Sequence, residues 1–299
     1  MRETARARVP ATSGNLGPGF DCMGMAHDLW DEVSVRAFFN DDDEAPPSAH
    51  INITGEGADY LPRDNSHLVV RALRRGLDQV GAPQPSLELT CVNGIRQGRG
   101  LGSSASAIVA GLLLARGLVE DPQTLSDQVI LELATQFEGH PDNAAPAIFG
   151  GAVVGWVDES GAHAVPIRVR EDLRTTLLIP ESELLTETAR SVLPEKVPHK
   201  DAAFNASRTA LLVLALEHDP SVLFEATEER LHQQYRASAM QPSADALAAL
   251  RERRIPAVIS GAGPSILVLG ELPEEVKEEM ERTGFSAVGG FPARGAYLV

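Results

Sequence analysis

Three glycines, Gly98, Gly100 and Gly102, fall within the stretch Asn93-Gly94-Ile95-Arg96-Gln97-Gly98-Arg99-Gly100-Leu101-Gly102-Ser103-Ser104-Ala105-Ser106-Ala107. Glycine at these positions permits backbone angles closed to other residues and lets a ligand approach main-chain N–H groups. A helix starting just after them would add its free N–H groups and the positive end of its dipole, with Ser103 as N-cap or as a hydroxyl reaching the ligand. The chemistry is that of a phosphate cradle. No lysine follows Gly102, which excludes a Walker A loop. Ser103 stands where a dinucleotide fingerprint needs its third small residue, and no Gly-x-Ser-x-Gly esterase elbow is present. For the glycines alone, an ordinary strand-to-helix turn is the plain alternative. A second cluster, Glu138-Gly139-His140-Pro141-Asp142-Asn143, gathers carboxylates, an imidazole and an amide. The His140/Asp142 pair lacks further Cys or His at ligand spacing, which argues against zinc. A third, Thr12-Ser13-Gly14-Asn15-Leu16-Gly17-Pro18-Gly19-Phe20-Asp21, is a compact loop able to fix polar groups in set directions.

The elements that must position these groups follow from periodicity. Residues 5–11 read as a strand entering the Asn15 loop, 31–38 as a second strand, and 51–53 as its hairpin partner beyond an acidic, proline-containing solvated turn at 41–47. Apolar residues at helical spacing predict a helix over 67–80, and alternation predicts a strand over 87–92 that leads into the glycine loop. Helices are expected at 104–118 and 124–137, the latter ending at Glu138, and a strand at 152–157. The second half opens with a strand at 175–179 and helices at 202–216 and 221–235. Strands at 257–260 and 265–269 then flank Gly261-Ala262-Gly263-Pro264, followed by a helix over 273–283 and strands near Ala287 and Ala296.

A chain of 299 residues, 43% hydrophobic and 23% charged, suits two modest soluble domains. A net charge of −16 opposes sequence-independent binding to nucleic acid or to an anionic membrane. Lysine occurs only at Lys196, Lys200 and Lys277, so phosphates and carboxylates must be met mainly by arginine and backbone. Cys22 and Cys91 have no close-spaced partners, which excludes a disulfide framework and fits a reducing, cytoplasmic setting. No stretch reads as a signal peptide or a membrane span.

Three motifs in fixed order, residues 10–21, 98–106 and 260–265, resemble those of the GHMP family of small-molecule kinases. The wording Pro-Ala-Thr-Ser-x-Asn-Leu-Gly-Pro-Gly-Phe-Asp and Glu-Gly-His-Pro-Asp-Asn-x-Ala-Pro-Ala is that of its amino-acid-alcohol branch. The resemblance implies an α+β GHMP kinase fold: residues 1–157 as an ATP-binding domain similar to ribosomal protein S5 domain 2, and residues 158–299 as a ferredoxin-like domain. The activity it implies is ATP-dependent phosphorylation of the L-homoserine hydroxyl to O-phospho-L-homoserine, a step towards threonine. The alternatives are a family kinase for another small alcohol such as mevalonate, or a non-catalytic ligand-binding member.

Carried over by the resemblance, ATP would be held by Arg96, Gln97, Gly98, Arg99, Gly100, Leu101, Gly102, Ser103, Ser104, Ala105 and Ser106. Mg²⁺ would take Glu138 and Ser103, with Glu132 as the alternative carboxylate. Asn15 and Asp21 would lie near the substrate amino group, Thr186, Arg190 and Arg236 near its carboxylate, and the catalytic His140, Asp142 and Asn143 around the reacting hydroxyl. Two arginines suit bidentate recognition of a carboxylate. The Gly261-Ala262-Gly263 turn would shape the phosphate loop from the second domain. The partners implied are homoserine and ATP, with the assembly left open between monomer and homodimer.

Overall fold

The computed structural model describes residues 1–39 and 46–299, so residues 41–45 of the expected acidic turn lie outside the described residues. Strands β1 (Thr4–Gly14) and β2 (Met23–Phe38) pair antiparallel along their whole length, with the polar loop of residues 15–22 at one end. Strand β2 begins eight residues before the alternating stretch because Met23 to His27 is buried at every position, which erases the two-residue period. Strand β3 (Ala49–Gly55), helix α1 (Leu68–Gln79) and strand β4 (Ser86–Asn93) form a crossover. The expected hairpin between β2 and β3 does not exist. Strand β4 lies between them, antiparallel to β2 and parallel to β3, and α1 provides the long connection that a parallel pair needs.

Helix α2 (Ser103–Leu118) follows the glycine loop and is buried nearly all round by its Ala, Leu and Val residues. A 3₁₀ turn at Pro122–Leu125 precedes α3 (Asp127–Glu138), so the helix expected from 124 starts only where Ser126 caps it by accepting the Val129 N–H. Helix α4 (Ala144–Phe149) and strands β5 (Ala152–Asp158) and β6 (Gly161–Ile167) complete this half. Both strands join the first sheet, β5 through β2 and β6 through β5. One hydrophobic core lies between that sheet and α1, α2 and α3.

Strand β7 (Thr175–Pro180), α5 (Thr186–Ser191) and α6 (His199–Glu217) come next. The single helix expected over 221–235 is instead two short ones, α7 (Leu223–Ala226) and α8 (Gln233–Arg236). The buried Glu229 carboxylate interrupts it by accepting the N–H groups of Leu231, His232 and Gln233 at 2.7, 3.0 and 2.7 Å. Helix α9 (Gln241–Glu252), strands β8 (Ala257–Ile259) and β9 (Ile266–Val268), helix α10 (Glu274–Arg282) and strand β10 (Phe285–Gly290) follow. The final strand, β11 (Tyr297–Leu298), returns to the first sheet beside β1. The second sheet, ordered β10-β7-β9-β8 and wholly antiparallel, packs against α9 and α10 on one face. Its other face shares a core with α6 and with Met23, Met25 and Ala152 of the first sheet.

Candidate active site

The glycine loop is built by the orientation of its peptides. Four consecutive carbonyls are engaged by other elements: Gly98 O by Leu184 N–H at 2.9 Å, Arg99 O by Ser265 N–H at 3.2 Å, Gly100 O by Ser260 Oγ at 2.5 Å and Leu101 O by Thr12 N–H at 2.9 Å. In a trans peptide the N–H points opposite to its carbonyl, so the amides of Arg99, Gly100, Leu101 and Gly102 are turned the other way. None of the four donates to an acceptor among the described residues. The free N–H groups at the start of α2 add to this array. Gly102 itself, in the left-handed region at φ 66°, is the N-cap of α2, and Ser103 is the first helical residue rather than the cap. Gly100, at φ 69°, is pressed so closely on the turn after β8 that a Cβ there would lie 2.8 Å from Gly263 O.

Behind the loop runs a buried polar chain. Ser260 Oγ uses its proton on Gly100 O, so Ser13 Oγ donates to Ser260 Oγ at 2.6 Å, and His27 Nε2–H donates to Ser13 Oγ at 2.7 Å. His27 Nδ1 is buried without a partner among the described residues, and burial pushes the imidazole pKa down to about 4, which favours the neutral ring.

The cavity faces this amide array. Gly98, Gly100, Leu101, Gly102, Ser103 and Ser104 form one wall. Glu138 at the end of α3, then His140, Asp142 and Asn143, form a second. Leu184, Thr186, Arg190, Arg236, Gly261, Ala262 and Asn15 close the remainder. Arg96, Gln97, Arg99, Ala105 and Ser106 are not part of the lining. The first and third of these reach the β7–α5 segment instead, and Ser106 Oγ bonds Pro10 O inside the fold at 2.8 Å. Glu132 is also outside, on the far part of α3, where it accepts from Gln128 at 2.9 Å.

Asp142 is only 2% exposed and is hydrogen-bonded by His140 Nδ1. Burial pulls the His140 pKa down, but the bond to Asp142 and its charge outweigh this and leave it raised. Asn143 is oriented by Thr12 Oγ1, which donates to its Oδ1 at 3.0 Å; Thr12 belongs to the first motif but carried no assigned role there. Ser104 Oγ donates to Glu138 Oε1 at 2.5 Å, and burial raises the Glu138 pKa despite that bond. Burial and the neighbouring Asp142 and Asp21 push the Cys22 thiol up to about 11, which disfavours the thiolate.

Asn15, at φ 68°, spends its side chain on the fold: Nδ2 donates to Gly261 O at 2.8 Å and Oδ1 accepts the Asp21 N–H at 2.9 Å. Asp21 stands just outside the lining, its carboxylate within reach of His140 and Asp142, and is held by both terminal nitrogens of Arg190 at 2.6 and 3.1 Å. Arg236 is 1% exposed. Its Nε donates to Ala189 O at 3.1 Å, and Nη1 is directed at His232 Nδ1 and Gly261 O, leaving Nη2 without an acceptor among the described residues. Sequence reasoning ranked neither His232 nor Leu184; a histidine four residues before Arg236 was the available signal for the first.

The strand-loop-helix turn with its inward-facing amides thus shares one cavity with the buried Asp142 and its half-buried partner His140, and residues 67–151 match the GHMP kinases N terminal domain. The homoserine kinase of Streptomyces coelicolor is 47% identical over 275 residues, covering 92% of this chain and 87% of that protein. That of Cutibacterium acnes is 44% identical over 300 residues, covering 100% and 98%. The crystal structure of homoserine kinase from Cytophaga hutchinsonii superposes with a TM-score of 0.84 at 25% identity, over 100% of this chain and 98% of that one. The fold is that of the GHMP kinases. Within them, the chain belongs to the homoserine kinase family.

Proposed function

We propose that this protein transfers the γ-phosphoryl group of ATP to the side-chain hydroxyl of L-homoserine. The observation that carries the reading is the set of four outward-bonded carbonyls, which leaves an amide array facing the same cavity that holds Asp142 and the free edge of Arg236. The array would hold the triphosphate. Arg236 would take the amino-acid carboxylate and Asp21 the amino group. The hydroxyl oxygen forms the new O–P bond, its proton passes to Asp142, and ADP leaves with the broken bond's electron pair. Phosphoryl transfer has little covalent chemistry for a protein to do, so positioning and charge stabilisation carry most of the rate.

The residues present fit Mg²⁺. Glu138 is a half-buried carboxylate whose pKa is raised by desolvation, and it stands against Ser104 at the helix start, where an oxygen-seeking cation would restore its charge balance. Glu138, Ser103 and Ser104 would hold the ion, which supplies neutralisation of phosphate charge. Two free thiols, and the absence of a helix long and apolar enough to span a membrane among the described residues, support a cytoplasmic setting. The test is ADP release over homoserine, homoserinol and mevalonate. Homoserine is expected to have the highest kcat/KM; equal turnover of mevalonate would reassign the acceptor.

A further inference from the structure

Arg99 is one of the loop residues whose side chain lies away from its expected place. Its backbone belongs to the amide array, yet its guanidinium is absent from the cavity lining. Nη1 donates to Glu183 Oε1 at 2.5 Å and back to Gln97 O at 2.8 Å, and Nη2 donates to Glu181 O at 2.5 Å. The Arg99 side chain is 12% exposed but its Glu183 partner is 57% exposed, so the ion pair alone is weak and the hold comes from the three acceptors taken together. Three acceptors converge on one planar fork, which fixes the segment between β7 and α5 against the loop. Arg96 adds a more exposed strut to Glu181 at 2.8 Å, and Leu184 N–H bonds Gly98 O.

That segment has little else to hold it. Between Pro180 and Arg190 only Leu184 and Ala189 are buried. Yet it delivers three parts of the acceptor side of the cavity: Thr186, Arg190 with its grip on Asp21, and the Ala189 carbonyl that orients Arg236 through Nε. We propose that Arg99 is a positioning residue for the acceptor half of the site, acting through Glu183 and Glu181, and is not a nucleotide ligand. This rests on the kinase reading above. A side chain rooted in the phosphate loop thus governs the amino-acid substrate.

The experiment measures KM for ATP and for homoserine in the full chain and in Arg99→Gln, Arg99→Lys, Glu183→Gln and the Arg99→Gln/Glu183→Gln double variant, with thermal melts as a folding check. Glu183 is 57% exposed, so its variant retains the fold even if Arg99→Gln does not. The expected result is a homoserine KM raised about tenfold in Arg99→Gln and in Glu183→Gln, with ATP KM changed by less than about twofold. Arg99→Lys should fall between parent and Arg99→Gln, and the double variant should lose no more than the worse single one. An ATP KM that rises as much as that for homoserine would make Arg99 a nucleotide ligand and overturn the proposal. Lowered melting with both KM values unchanged would also overturn it, because the latch would then be merely structural. Absence of homoserine turnover in the parent would overturn both this and the functional reading, whereas an active parent with unsplit KM values removes only the role of Arg99.

Discussion

Arg236 and Arg190 bring the same guanidinium to one cavity in opposite electrostatic states. Asp21 already occupies both terminal nitrogens of Arg190 and raises its pKa, whereas Arg236 is desolvated, faces the like charge of Arg190, has its pKa lowered and keeps Nη2 without an acceptor among the described residues. A buried cation short of an anion is the better anchor for a substrate carboxylate. Arg236→Ala is therefore expected to weaken homoserine on the order of 10²-fold or more, since one member of a desolvated charged pair is removed. Homoserinol, which has no carboxylate, should lose far less, so the gap between the two alcohols closes. Arg190→Ala should leave that gap open while lowering turnover of both, by releasing Asp21. Values of kcat/KM for both alcohols in the three proteins decide it; a gap closed by Arg190→Ala alone would return the carboxylate to Arg190. Both arginines were legible in the sequence only through the family resemblance, which set them near the substrate carboxylate. Their ranking was not, because the pairing of Asp21 with Arg190 joins positions 169 residues apart and has no local signature.

The strand-loop-helix unit β4–α2 was legible for a different reason: its signals are local. Alternation over 87–92, three glycines and an Ala/Leu/Val-rich run specify it without help from the rest of the chain. What local signals could not show is which way each peptide faces, since the carbonyls are turned by Leu184, Ser265, Ser260 and Thr12. A side chain at Gly100 would meet the Ser260–Gly263 turn, a contact that local signals could not show either. Ser260→Ala removes the hydroxyl that holds Gly100 O and leaves a buried acceptor unpaired, a loss of about 1–3 kcal/mol. It is expected to weaken an ATP analogue about tenfold in calorimetric titration while homoserine affinity stays near the parent value. Gly100→Ala, with a clash added to a left-handed φ, should weaken the analogue further. Unchanged nucleotide binding in both variants would place the cradle elsewhere.

The two sheets meet at His27, and that junction contributes to how the molecule responds to acid. The strand segment Met23 to His27, which alternation missed, carries His27 to a place where it bridges Pro292 and faces Thr175, Leu177 and the end of β10, while its Nε2 starts the chain through Ser13 and Ser260 to the phosphate loop. Such membership is a long-range fact, as is the return of β6 and β11 to the first sheet, and no pattern within a short window encodes it. In the native state the imidazole titrates near 4; in the unfolded chain it titrates at the ordinary value of 6.5. Between these values the unfolded chain binds more protons, so stability contributed by neutral His27 is complete above pH 6.5 and is lost as pH falls towards 4. His232 and His67, both lowered by burial, act in the same direction. Asp31, pushed up to about 6 by burial against the N–H bonds of Gly94 and Ile95, acts oppositely: its contribution is complete below the ordinary carboxylate range and is lost as pH rises through 6. A single protein's pH profile mixes these terms, so the expected outcome is set as a difference. His27→Gln keeps a donor for Ser13 and cannot titrate. Urea unfolding of parent and variant should show their stability difference moving by about 2–3 kcal/mol in favour of the variant between pH 7.5 and pH 4.5. A difference that stays flat across that range would mean that His27 takes up its proton without disturbing the fold, and that the neutral chain from His27 to Gly100 does not hold the two sheets together.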